Sequence, residues 1–165
     1  MSEQPMDQNP INEDANAIIA NGVKWSAAAA IIPVPIVDLV ALGGVQYKTI
    51  RDLAALYGIS ENEERIKSIV SASLASLAPS LISTGLVGSS LKLIPGHGTI
   101  FGSASLAAFS SAATFAIAKV FSRHFAKGGT IETFDVENTK KDIKEEFEAA
   151  KENEKPSKSG SSSKK

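Results

Sequence analysis

The residue types that could do chemistry are few and scattered. There are two histidines, His97 and His124, and one acid set in an apolar run, Asp38. The histidines stand far apart and neither has a companion ligand motif, so no metal site is expected. His97 reads as a solvated turn residue and His124 as part of a basic flank. Asp38 could serve as a polar anchor, a proton site or the partner of a base. The plainer reading is a first-turn helix acid behind Pro35, stabilised by the helix dipole. The chain has no cysteine, which excludes disulfides, thiolate ligands and thiol catalysis. Gly85 to Lys92 is glycine-rich but lacks the spacing of a phosphate loop, and no G-x-S-x-G elbow occurs among the many serines. With no catalytic residues and no cofactor implied, the expectation is a protein that is not an enzyme. A net charge of −1 shows no basic excess for nucleic acid, and 6% aromatics are too few for base-stacking platforms.

The elements that would position these residues are helical throughout. The start carries Glu3 and Asp7 with Pro5 and Pro10 and no base, unlike a secretory leader. Asn12 can cap a helix over 15–32, which Pro33 ends or kinks. Pro35 can open a second helix, in which Ile36, Leu39, Val40, Gly43, Tyr47, Ile50, Leu53, Ala54 and Tyr57 recur every three or four residues. Gly58 is placed as its stop. Ser60 with Glu63 forms a capping box for a third helix over 61–91. Pro95, Gly96 and Gly98 mark a turn, and a fourth helix over 100–126 stops at Gly128 and Gly129. Residues 130–134 read as extended and Thr139 as a weak cap. A last amphipathic helix over 136–151 shows Val136, Ile143, Phe147 and Ala150 on one side. Residues 155–165 are a low-complexity Ser/Lys tail, expected to be disordered.

The third and fourth helices form the most informative part of the chain. From Ser68 to Leu91 there is no charged residue, and from Leu93 to Ala118 none apart from His97. Each stretch exceeds the ~20 residues needed to span a bilayer core. Ser68, Ala72, Ser76, Ser80, Thr84 and Gly88 recur at every fourth position, as do Ala104, Ala108, Ala112 and Ala116. Such ridges of small side chains let two helix backbones approach closely. The fold expected is therefore all-α: a helical bundle around a Gly/Ala/Ser-rich apolar hairpin, embedded in a membrane. Ser and Gly lower the hydrophobicity of both arms, so a soluble bundle with tightly packed central helices is the competing reading. Arg65 and Lys67 before the first arm, and Lys119, Arg123 and Lys127 after the second, place both termini on the cytoplasmic side. Trp25 can lie at headgroup level or in an ordinary core.

The run from Trp25 through Pro33-Val34-Pro35 to Asp38, then Gln46 and the Tyr57-Gly58 stop, resembles the YcjF-like bacterial domain-of-unknown-function family. That family often accompanies small GTPase domains and is described as membrane-associated, with no established activity. The resemblance covers residues 15–129 and implies no role for Trp25, Pro33, Pro35, Asp38 or Gln46. It implies a bacterial inner-membrane protein. Since no GTPase domain is present, a GTPase partner would act in trans. The organisation expected is a disordered lead over 1–11, a helical domain over 12–129, a charged amphipathic helix within 130–154 and the tail. Its task would be that of a membrane-associated helical adaptor or anchor, with the lipid bilayer as partner. A cytoplasmic soluble scaffold or homo-oligomer, and a pore-forming hairpin, are the alternatives.

Overall fold

The computed structural model describes the backbone of residues 10–29, 37–83 and 98–154, and the side chains of 10–29, 43–80 and 106–153. These residues form five α-helices and no strand: α1 Pro10–Ala29, α2 Val37–Leu56, α3 Glu63–Ser83, α4 Gly98–Ala126 and α5 Val136–Glu154. Local chemistry sets the ends. Pro10 opens α1, where its missing N–H is no loss. At the end of α2, Gly58 takes a φ of 67°; its N–H reaches Ala55 O and the N–H of Ile59 reaches Ala54 O. Gly128 ends α4 in the same way, with a φ of 84° and the N–H of Gly129 on His124 O. Both are Schellman stops, in which a left-handed residue lets the next N–H groups satisfy the last carbonyls.

Two starts differ from the sequence expectation. The cap of α3 is Asn62, not Ser60: its Oδ1 accepts the N–H of Arg65 at 3.1 Å. An Asn carbonyl three residues ahead of the N–H fills the N-cap role directly, which moves the helix start two residues on. The cap of α5 is Asp135, whose Oδ1 accepts from the N–H groups of Glu137 and Asn138, and Thr139 lies one turn inside. Residues 130–134 are a turn rather than an extended segment. Thr130 and Thr133 bond each other's backbone N–H, and Ile131 and Phe134 turn inward.

Helix α4 is the centre of the fold. It packs chiefly against α5 and α1, with α2 and α3 covering the remainder. Phe109, Ala112, Ala113, Ala116, Ile117, Ala118, Val120, Phe121 and Phe125 are all buried. Helices α2 and α3 run antiparallel, since Arg51 pairs with Glu61 and Tyr47 meets Lys67. So do α4 and α5, where Phe121 meets Phe134 and Phe109 meets Phe147. Ile18, Gly22 and Trp25 of α1 line a groove with Gly44, Val45, Lys48 and Asp52 of α2. Tyr57, just past the end of α2, meets Ser122 and Phe125 of α4. Phe147 of α5 packs on Phe109, and Phe134 ahead of α5 stacks on Phe121 with centroids 3.8 Å apart. The inward face of α5 is the one its periodicity predicts: Ile143 and Phe147 are buried, Val136 and Ala150 half-buried.

The membrane-embedded hairpin is where structure and sequence part. No described helix is long and apolar enough to cross a membrane. The uncharged length is present, but Ala, Ser and Gly make up much of it and contribute little to transfer into hydrocarbon. Helix α3 buries Ile66, Ile69, Val70, Ser73 and Leu77, and leaves Ser68, Ser71, Ala72, Ala75 and Ala78 wet. It is an amphipathic helix whose outer flank uses small uncharged residues in place of ions. Over 106–118 helix α4 has no exposed residue, so packing in the core accounts for the uncharged composition of that stretch.

Candidate functional site

The predicted ridges take different environments. On α3, Ser68 and Ala72 are exposed and Ser76 and Ser80 half-buried; on α4, Ala108 is half-buried and Ala112 and Ala116 are buried. Thr84, Gly88, Pro33, Pro35 and His97 lie outside the described residues, as do the side chains of Ala104 and Asp38. Ser68 and Ala72 open on a groove of about 530 Å³, walled across from them by Phe134, Asp135 and Glu137. Arg65 spans its floor, with Nη2 donating to Phe134 O at 3.3 Å. The closest approaches in the described fold involve α1 instead. Ser26 of α1 meets Thr114 of α4, Oγ to Oγ1, at 2.5 Å in the buried interior. Gly22 of α1 lies against Thr49 of α2, so that a Cβ there would overlap Thr49 Oγ1.

The apolar core thus holds several polar side chains. Ser26, Gln46, Thr49, Ser73, Ser110, Ser111 and Thr114 are all buried. Most hydroxyls in helices can turn back to a carbonyl one turn away, as Thr49 Oγ1 does to Val45 O at 2.8 Å. Gln46 is different. It is 1% exposed, and neither its Oε1 nor its Nε2 finds a hydrogen-bond partner among the described residues, and nor does Ser73 Oγ. A buried polar group left unmatched costs about 1–3 kcal/mol. Gln46→Met keeps the shape and removes the amide, so it should raise unfolding stability by about 1–2 kcal/mol in urea denaturation. A loss of stability would show that the amide is satisfied in solution.

The surface cleft nearest these side chains lies between α1 and α2. It holds about 470 Å³ and is walled by Ile18 and Trp25 on one side and Val45, Lys48 and Asp52 on the other, with Gly22, Gly44 and Thr49 between. Trp25 is 62% exposed. Ile11 is the other large hydrophobic side chain exposed among the described residues. Lys24 beside it is exposed, and Lys48 pairs with Asp52 one turn on.

The remaining polar features are structural. Nε2 of His124 lies 3.0 Å from Thr130 O and 3.2 Å from Thr133 Oγ1. It clasps the turn between α4 and α5, a role its reading as a basic flank did not contain. Glu63 and Lys67 pair across one turn at 2.5 Å, and their hydrogen bond with mutual attraction lowers the carboxyl pKa and raises that of the ammonium. Both are exposed, so the pair is a surface feature of helix α3. No three His, Cys, Asp or Glu among the described residues could hold a metal ion.

The described residues therefore define an all-helical bundle with an exposed aromatic cleft and several buried polar side chains. The chain belongs to the domain-of-unknown-function family DUF697, whose model matches residues 4–133. It is also similar to magnetosome membrane protein 22 of Magnetospirillum gryphiswaldense, with 33% identity over 141 residues that span 83% of this chain and 70% of that protein. No solved structure matches it. Helix α5 lies beyond the family match.

Proposed function

We infer that the protein is a non-enzymatic, membrane-associated helical adaptor, held on the cytoplasmic face of the bacterial inner membrane by a surface of the bundle. The observation that carries this reading is the similarity, over most of both chains, to a protein named as a magnetosome membrane protein. The absence of a membrane-crossing helix among the described residues favours attachment through a surface. The solvated side of α5, with Asp142, Lys144 and Glu145 exposed, is free to meet a second protein. A small GTPase acting in trans is the partner that the YcjF-like resemblance implies.

A soluble scaffold is the second reading. It is favoured by the closed core, which leaves only Ile11 and Trp25 as exposed large hydrophobics among the described residues. Fractionation of cells expressing the full chain separates the two. The adaptor is expected in the membrane pellet and is released by alkaline carbonate, as a surface-attached protein is. Recovery in the soluble fraction without carbonate would favour the scaffold, and retention after carbonate would restore a spanning anchor.

A further inference from the structure

We propose that the α1–α2 cleft around Trp25 is the lipid-contacting face, and that its occupant is the headgroup region of an anionic bilayer. The proposal rests on the membrane-associated reading and specifies which surface performs it. The distribution of charge supplies the first argument. The described side chains over 25–29 of α1, 43–47 of α2, 68–80 of α3 and 106–118 of α4 include no ionic residue. Beyond these stretches charge gathers at one end, where Arg51 pairs with Glu61, Asn62 bonds Glu132 and Arg65 reaches Phe134 O. The four-helix part is thus polarised along its length, with charge at one end and little at the other. Trp25 stands near the start of the uncharged end.

The second argument is the chemistry of the cleft. An exposed indole can seat its apolar ring at the hydrocarbon boundary while its N–H faces headgroups. Gly44 beside it is exposed, and a Cβ there would meet nothing within 4 Å, so the wall is open to an incoming group. Lys48 lines the cleft as the partner of Asp52, and Lys24, exposed one position before Trp25 on α1, adds a free-standing cation that complements anionic headgroups. Helix α5, which carries more acids than bases, touches α3 and α4 and makes no contact with α1 or α2. Its acidic surface is therefore kept away from the cleft. A neutral partner peptide would not need the cations, and a second copy would bring its own Lys24 against them.

The chain has one tryptophan, so its fluorescence reports this position alone. The full chain is mixed with vesicles of phosphatidylcholine containing phosphatidylglycerol, or of phosphatidylcholine alone, and flotation is measured beside Trp25 emission. The expected result is flotation with the anionic vesicles, a blue shift of emission, and quenching when part of the lipid carries bromine on its acyl chains. Lys24→Glu should weaken flotation by about tenfold or more, since it reverses a charge at the surface. Trp25→Phe, on an exposed site that leaves the core intact, should weaken it less than Trp25→Ala. Flotation with unshifted, unquenched emission would overturn the proposal and leave membrane association standing. No flotation with either vesicle would overturn both. A blue shift that grows with protein concentration and needs no lipid would overturn the proposal in favour of a second copy.

Discussion

Phe121→Ala is expected to lower unfolding free energy by about 3–5 kcal/mol. Phe121 is 0% exposed on the central helix. Its ring stacks on Phe134 at 3.8 Å with the planes 1° apart, and meets Phe125 edge-on at 5.5 Å. Truncation removes the contact that ties the α4–α5 turn to the core. Phe134 comes from that turn and precedes Asp135, the cap of α5. The cavity therefore opens where α5 is anchored. Collapse to fill it would pull at the His124 clasp on Thr130 and Thr133. Phe121→Leu retains most of the volume and should cost less than ~1.5 kcal/mol. Urea denaturation followed by far-UV circular dichroism measures both. A loss under ~1 kcal/mol for the alanine variant would show that the stack is not a centre of stability.

Features set by neighbours in sequence were legible beforehand. The Gly58 and Gly128 stops follow from glycine's freedom at positive φ. The inward face of α5 follows from periodicity, because only one side of 136–151 has apolar residues. The start of α3 was displaced because Ser60 and Asn62 both satisfy cap chemistry, and the choice depends on where the chain leaves Gly58. Partner choice was not legible. A ridge of small residues states that something approaches closely and does not name it. Ala112 and Ala116 are buried, yet the close polar contact of α4 is Thr114 with Ser26 of α1. Gln46 and Thr49 are buried although the stripe that predicted α2 left both out as polar. Trp25 stood open between a core and an interfacial place, and the fold puts it outside.

Gly22→Ala sets two physical effects against each other, and its sign tests the contact that shapes the cleft. Helix propensity alone would make alanine stabilising by about 0.5–1 kcal/mol at this interior helix position. Packing opposes this. The new Cβ would overlap Thr49 Oγ1 and lie 3.0 Å from its Cγ2 and 3.2 Å from its Cβ. Rotation of Thr49 offers no relief, because both branches of the side chain already crowd the site and Oγ1 is held by Val45 O. The helices must separate, and overpacking of this kind costs about 1–3 kcal/mol. The net expectation is a loss of about 1 kcal/mol, as overpacking outweighs the propensity gain. In a Thr49→Ala background the two offending branches are gone and only the Cβ at 3.2 Å remains. There Gly22→Ala should cost at least about 1 kcal/mol less, a coupling read directly from the double-mutant cycle. Additive effects would mean that α1 and α2 do not touch at this point. The cleft would then lack its floor, since Gly22 and Thr49 lie between Trp25 and Lys48 along its length. A true coupling also predicts that Gly22→Ala, by spreading the helices, alters Trp25 emission in the free protein.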